Sequence, residues 1–133
     1  MDFSPHIAKW RRDPTLFVRT MLNAKPDEWQ SEVMNAVANQ DRGVSIRSGH
    51  GVGKTSCLSW LAIWWIAVHY NAKVVITAPT SAQLHDALLP EAKSWLKQAP
   101  EGFQENFIVR ADRIENSVDP QRNFISARTS RAE

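Results

Sequence analysis

At 133 residues, 43% of them hydrophobic, the chain has room for one domain at most and a modest core. A formal net charge of +2 is too small to argue for nucleic acid by itself, and there is no low-complexity tract or internal repeat. The single cysteine, Cys57, excludes an intrachain disulfide.

The start, Met1 to His6, lacks the basic-then-apolar layout of a secretory leader. Lys9, Arg11 and Arg12 beside Trp10 could touch phosphates, but a solvated helix face is the plainer reading. Asp13-Pro14 has the form of a helix N-cap followed by proline at the first helical position, and predicts a helix over 14–22. Leu16 or Phe17 with Met21 would form its apolar face. Asn23 to Pro26 reads as a break.

A second helix is predicted from Asp27, with Trp29, Val33 and Val37 at a four-residue spacing. Gln30 lies in it. A glutamine amide offers one donor and one acceptor to an adenine edge, yet Asp27 with Gln30 also has the spacing of a capping box. The two readings stand level.

Gly43 to Ser48 reads as a short strand running into Ser48-Gly49-His50-Gly51-Val52-Gly53-Lys54-Thr55. From Gly53 to about His69 follows a helix that is apolar nearly all round and must be covered on most sides. The run Cys57 to Val68 is well short of the roughly 20 residues of a membrane span. Cys57, within it, is expected to be a small buried thiol. A strand, glycine-rich loop and helix in that order make an anion site, because the first-turn N–H groups have no partner within the helix. Gly49, Gly51 and Gly53 allow the backbone to approach phosphate oxygens. Lys54 suits the β- and γ-phosphates, and the Thr55 hydroxyl suits Mg²⁺. The general G-x-x-x-x-G-K-[ST] pattern has glycine where this chain has Ser48.

Lys73 to Ala78 is a β-branched run suited to a buried parallel strand. Thr80 and Gln83 then form a capping box at a helix start, with a kink or restart predicted at Pro90. Phe107 to Val109 and Asn123 to Ser126 are plausible short strands. Strands alternating with helices predict an α/β fold with a parallel sheet. The expected division is a helical segment, 1–42, and the first part of a P-loop core, 43–133. His6, His50, His69 and His85 have no metal-ligand spacing.

Asp13-Pro14, Trp29-Gln30, Arg47 through Thr55, and Thr77 through Gln83 together resemble the N-terminal ATPase region of the large terminase subunit of tailed bacteriophages. That resemblance runs from about Trp10 to Arg128, and Ser48 fits it better than the general loop pattern. It implies a P-loop NTPase (RecA/ASCE-like) parallel sheet with flanking helices, and an ATP-driven motor that moves viral DNA into the capsid. On that pattern Gln30 contacts adenine, while Gly49, Gly51, Val52, Gly53, Lys54 and Thr55 hold ATP and Mg²⁺. Arg47 belongs with the γ-phosphate, and Thr77, Thr80 and Gln83 couple nucleotide state to DNA or a neighbouring subunit. Double-stranded DNA, a small terminase subunit, the capsid portal and a homo-oligomeric ring are the implied partners, in the cytoplasm of a bacterial host. A superfamily-2 helicase fragment and a nucleotide-binding fragment without turnover remain as alternatives.

Such ATPases need an acidic strand end that supports Mg²⁺ and a glutamate that activates water. Asp112 is the nearest candidate, with Arg110 interposed and no glutamate after it. An exposed strand-end residue is its plainer reading. The acidic strand and a nuclease domain are therefore expected outside residues 1–133, and hydrolysis by these residues alone is expected to be negligible.

Overall fold

The computed structural model describes residues 3–39, 53–69, 73–78 and 88–129. Helix α1 (Ser4–Arg12) has proline in its first turn and ends where the Asp13 N–H donates to Lys9 O and Trp10 O. The helix face read at Lys9, Arg11 and Arg12 belongs to this helix. Helix α2 (Pro14–Met21) begins as its sequence dictates: Asp13 Oδ1 accepts the Leu16 N–H at 3.1 Å, and Pro14 opens the first turn. Phe17 and Val18 are its fully buried residues, with Leu16 and Met21 packed against the core. Asn23 breaks the chain direction at φ 53°, a left-handed conformation that asparagine tolerates, and Ala24 N–H donates back to Val18 O.

Helix α3 (Glu28–Ala38) starts after Asp27 and buries Gln30 and Met34, while Trp29, Val33 and Val37 flank the core. Helix α4 (Lys54–Val68) is the central element. It packs against α1, α2 and α3, against α5 (Leu89–Lys97), and against strands β1 (Lys73–Ala78), β3 (Arg113–Asn116) and β4 (Phe124–Thr129). Cover on so many sides explains why apolar residues face nearly every direction around it. Cys57, Trp60, Ile63, Trp64, Ile66 and Val68 are all buried. Among the described residues no helix is long and apolar enough to cross a membrane.

Helix α5 starts beside Pro90, where the restart was expected. A single turn, α6 (Glu101–Gln104), leads to strand β2 (Phe107–Val109). The described sheet has the order β1-β4-β3-β2. β1 and β4 are parallel, from Lys73↔Phe124 to Ala78↔Thr129, whereas β4-β3 and β3-β2 are antiparallel. The sheet is thus mixed, not uniformly parallel, within the described residues. Connection length decides this. The short links 110–112 and 117–123 can only reverse the chain, while the long path from β1 to β4 permits a parallel return. The strand expected over 43–48 lies outside the described residues.

Side chains from 3–39 and from 53–125 share one hydrophobic core. Phe3, Trp10, Phe17, Phe103 and Phe107 form a chain of ring contacts with centroids 5.1–6.4 Å apart, joining the N-terminal helices to α6 and β2. Trp64 Nε1 donates to Trp10 O at 2.7 Å and locks α4 to α1.

Candidate functional site

Gly53 is the N-cap of α4 and has φ +81°. A side chain there would be strained by the left-handed backbone, and its Cβ would stand 2.7 Å from Gln30 Nε2 and 3.5 Å from Trp29 Cζ2. Glycine is required twice over: for the turn, and for the close approach of α3.

Gln30 is 3% exposed and uses both ends of its amide. Its Oε1 accepts the Asp27 N–H at 2.7 Å, the capping-box contact read from the sequence. Its Nε2 donates to Gly53 O at 2.8 Å, across a separation of 23 residues. The same Gly53 carbonyl accepts the Cys57 N–H at 3.0 Å, the first helical bond of α4. One buried amide therefore ties the N-terminus of α3 to the N-terminus of α4. Cys57 lies beside this junction, its Sγ 4.0 Å from Gln30 O, and burial pushes its pKa up to about 11. The thiol stays protonated and fills space, as its apolar setting predicted.

Thr55 is half-buried, and its carbonyl accepts the Ser59 hydroxyl at 2.8 Å. The next residue, Ser56, donates its hydroxyl to Glu91 Oε1 at 2.6 Å, and Trp95 Nε1 donates to the same oxygen at 3.0 Å. Trp95 meets Trp60 edge to face at 5.3 Å. Glu91, in the first turn of α5, thus places a carboxylate beside the first turn of α4. The sequence reading passed over it. An acid just after Pro90, with Trp95 one helical turn on, was the available signal.

Of the residues singled out in the sequence, Gln30, Gly53, the Lys54 backbone and Thr55 come together at this junction. Arg47, Gly49, Gly51 and Val52 lie outside the described residues, as do Thr80 and Gln83. Thr77 is in β1, paired with Arg128 of β4. Asp112 is exposed in the tight link between β2 and β3, as the strand-end reading expected. Among the described residues no group of three or more His, Cys, Asp or Glu is placed to hold a metal.

The basic group of α1 is exposed, as the solvated-face reading expected, but one member also reaches α4. Arg11, exposed like Lys9 and Arg12, donates from Nε and Nη2 to Val68 O at 2.9 and 2.6 Å and so closes the C-terminal end of α4.

The chain is similar to a phage terminase large subunit. Over 88 residues it is 27% identical to a protein of Enterobacteria phage P7 described as "Probable terminase, large subunit". The matched stretch is 66% of this chain and 18% of that relative, so the chain corresponds to a small part of the longer protein. No protein-family model and no solved structure matches.

Proposed function

We propose that this chain is the ATP-binding part of a phage terminase large subunit, a P-loop ATPase that drives viral DNA into the capsid. The observation that carries the proposal is the start of α4 at Gly53, φ +81°, directly before Lys54-Thr55, in a chain similar to a terminase large subunit. A helix beginning at such a glycine turns its unpaired first-turn N–H groups and the positive end of its dipole toward whatever precedes it. In this sequence that is the glycine-rich stretch 49–53, whose backbone would wrap the triphosphate.

Lys54 would bring a mobile positive charge to the β- and γ-phosphates. The Thr55 hydroxyl would contribute one ligand to Mg²⁺, with phosphate oxygens supplying others, as suits an ion that keeps much of its coordination from substrate and water. When bound, Mg²⁺ neutralises charge that builds on the phosphates during transfer. Arg47 would add charge near the γ-phosphate, and Thr77, Thr80 and Gln83 would carry nucleotide state to DNA or a neighbouring subunit. Double-stranded DNA, a small terminase subunit, the portal and further copies of this chain are the partners of the proposed motor.

The test is a thermal-shift titration with MgATP and MgGTP beside Lys54→Ala. Ligand at about 100 times its Kd should add roughly 2.7 kcal/mol of stability to the unsubstituted chain. The shift should vanish in the variant. An equal shift in Lys54→Ala would remove the phosphate loop, and the motor with it.

A further inference from the structure

We infer that the cleft at the C-terminal end of α4 is a binding site for an uncharged aromatic ring with one N–H or O–H donor, an indole or a phenol, and that His69 Nε2 accepts its hydrogen bond. The cleft encloses about 510 Å³, within the size range of small-ligand sites. Its walls come from α1, the end of α4, α6, β2, β3 and the link 117–123, and its apolar lining includes Phe3, Ile7, Phe103 and Phe107. It lies a helix length from Gly53, about 20 Å along α4, so it is separate from the proposed nucleotide site.

The polar groups of the lining favour a ligand that donates. His69 is held in place: its ring stacks on Trp65 with centroids 4.1 Å apart and meets Trp64 edge to face at 5.3 Å, and its carbonyl accepts Asn123 Nδ2 at 3.1 Å. Its Nδ1 lies 3.2 Å from Trp65 O. A carbonyl can only accept, so Nδ1 carries the hydrogen, and Nε2 of the neutral ring keeps a lone pair. Burial lowers the His69 pKa from 6.5, which keeps the ring neutral at pH 7. Asn106 spends its Nδ2 on Gly102 O and Phe103 O, both at 3.2 Å, which leaves Oδ1 as a further acceptor. Asp119 and Arg122 bring one charge of each sign, so the lining has no net charge with which to select an ion. A ligand matched to these walls is apolar over its faces, donates from one edge and is uncharged. Indole and phenol rings have that form.

The measurement is amide chemical-shift mapping by NMR of the full chain, titrated with indole and with 1-methylindole, which has the same ring but no N–H. Indole should move the amide signals of Asn106, Val118 and Asn123 in the cleft. It should bind at least about tenfold more tightly than 1-methylindole, because the methylated ring leaves Nε2 without a donor. In His69→Phe, which keeps a ring against Trp65 and loses the acceptor, the two compounds should bind alike. The comparison within the unsubstituted chain holds even if that variant fails to fold. Equal affinity of the two compounds for the unsubstituted chain, shifts confined to other surfaces, or no binding by either would overturn the inference. So would a preference for indole that survives in His69→Phe. N-acetyltryptophanamide, which flanks the same ring with peptide groups, separates the two sources of such a ring. Binding at least as tight as that of indole supports the site and assigns it to a side chain of a protein partner. Exclusion of this compound while indole binds supports the site and assigns it to a free small molecule.

Discussion

At its C-terminal end α4 is closed by side chains from distant parts of the chain: Arg11 donates twice to Val68 O, Asn116 to Ile66 O and Asn123 to His69 O. At its N-terminal end the cap is Gly53, which has no side chain to offer the first-turn N–H groups, and Gln30 donates to the Gly53 carbonyl. Both ends of a helix leave orphan backbone groups, and satisfying them is the ordinary solution. One end of α4 is finished by protein. Among the described residues the other has no side-chain cap, and Gln30 holds the Gly53 carbonyl. The difference sets an end closed by side chains against the end where nucleotide binding is proposed, along a single helix.

Gly53→Ala attacks the proposed binding end most directly. Alanine costs about 1–2 kcal/mol in the left-handed region, and its Cβ, 2.7 Å from Gln30 Nε2, would also break the tether; about 2–3 kcal/mol is expected in a urea melt. The nucleotide-dependent thermal shift should disappear as well. A variant that keeps both would show that the conformation at Gly53 is not needed.

Arg11→Ala strikes the closed end. It leaves Val68 O without its charged donor and, because Arg11 is exposed, should cost only about 1 kcal/mol. Nucleotide affinity should not move, since the proposed site lies at the other end of the helix. An equal loss of stability and affinity would mean that the two ends are coupled, and the contrast between them would fail.

The smallest effect is a pH dependence at the closed end. Burial lowers the His69 pKa from 6.5, its hydrogen bond with Trp65 O opposes this, and the charge of Arg11 lowers it further. The unfolded chain therefore takes up the proton first as pH falls. The stability contributed by neutral His69 is present above its ordinary pKa and is lost as pH drops through the lowered value. His69→Gln should flatten the fall in melting temperature between about pH 7.5 and about pH 5.5. A fall of unchanged steepness would place the acid sensitivity elsewhere.

The local contacts of the junction were legible in the sequence. The glycine, lysine and threonine at 53–55 sit at a fixed spacing before an apolar helix, and Asp27 with Gln30 has the interval of a capping box. The partner of the other end of the Gln30 amide was not legible. Two uses of that side chain stayed level in the sequence because nothing in the neighbouring residues indicates what lies across from Nε2. Glu91 was missed for the same reason: its partners Ser56 and Trp95 become neighbours of one oxygen only once α5 lies on α4.

By itself, the sequence determined where α2 and α3 begin, that α4 is covered on most sides, and that Lys73 to Ala78 is a strand. Caps, periodicity and β-branched runs act over a few residues, and each carries its signal in adjacent positions. Only the tertiary structure decided that Arg11 closes α4 from 57 residues away, that Gln30 holds Gly53 from 23 residues away, and that β2, β3 and β4 run antiparallel beside a parallel β1-β4 pair. Those contacts depend on which surfaces meet after the chain has folded, and short-range preference does not encode that meeting.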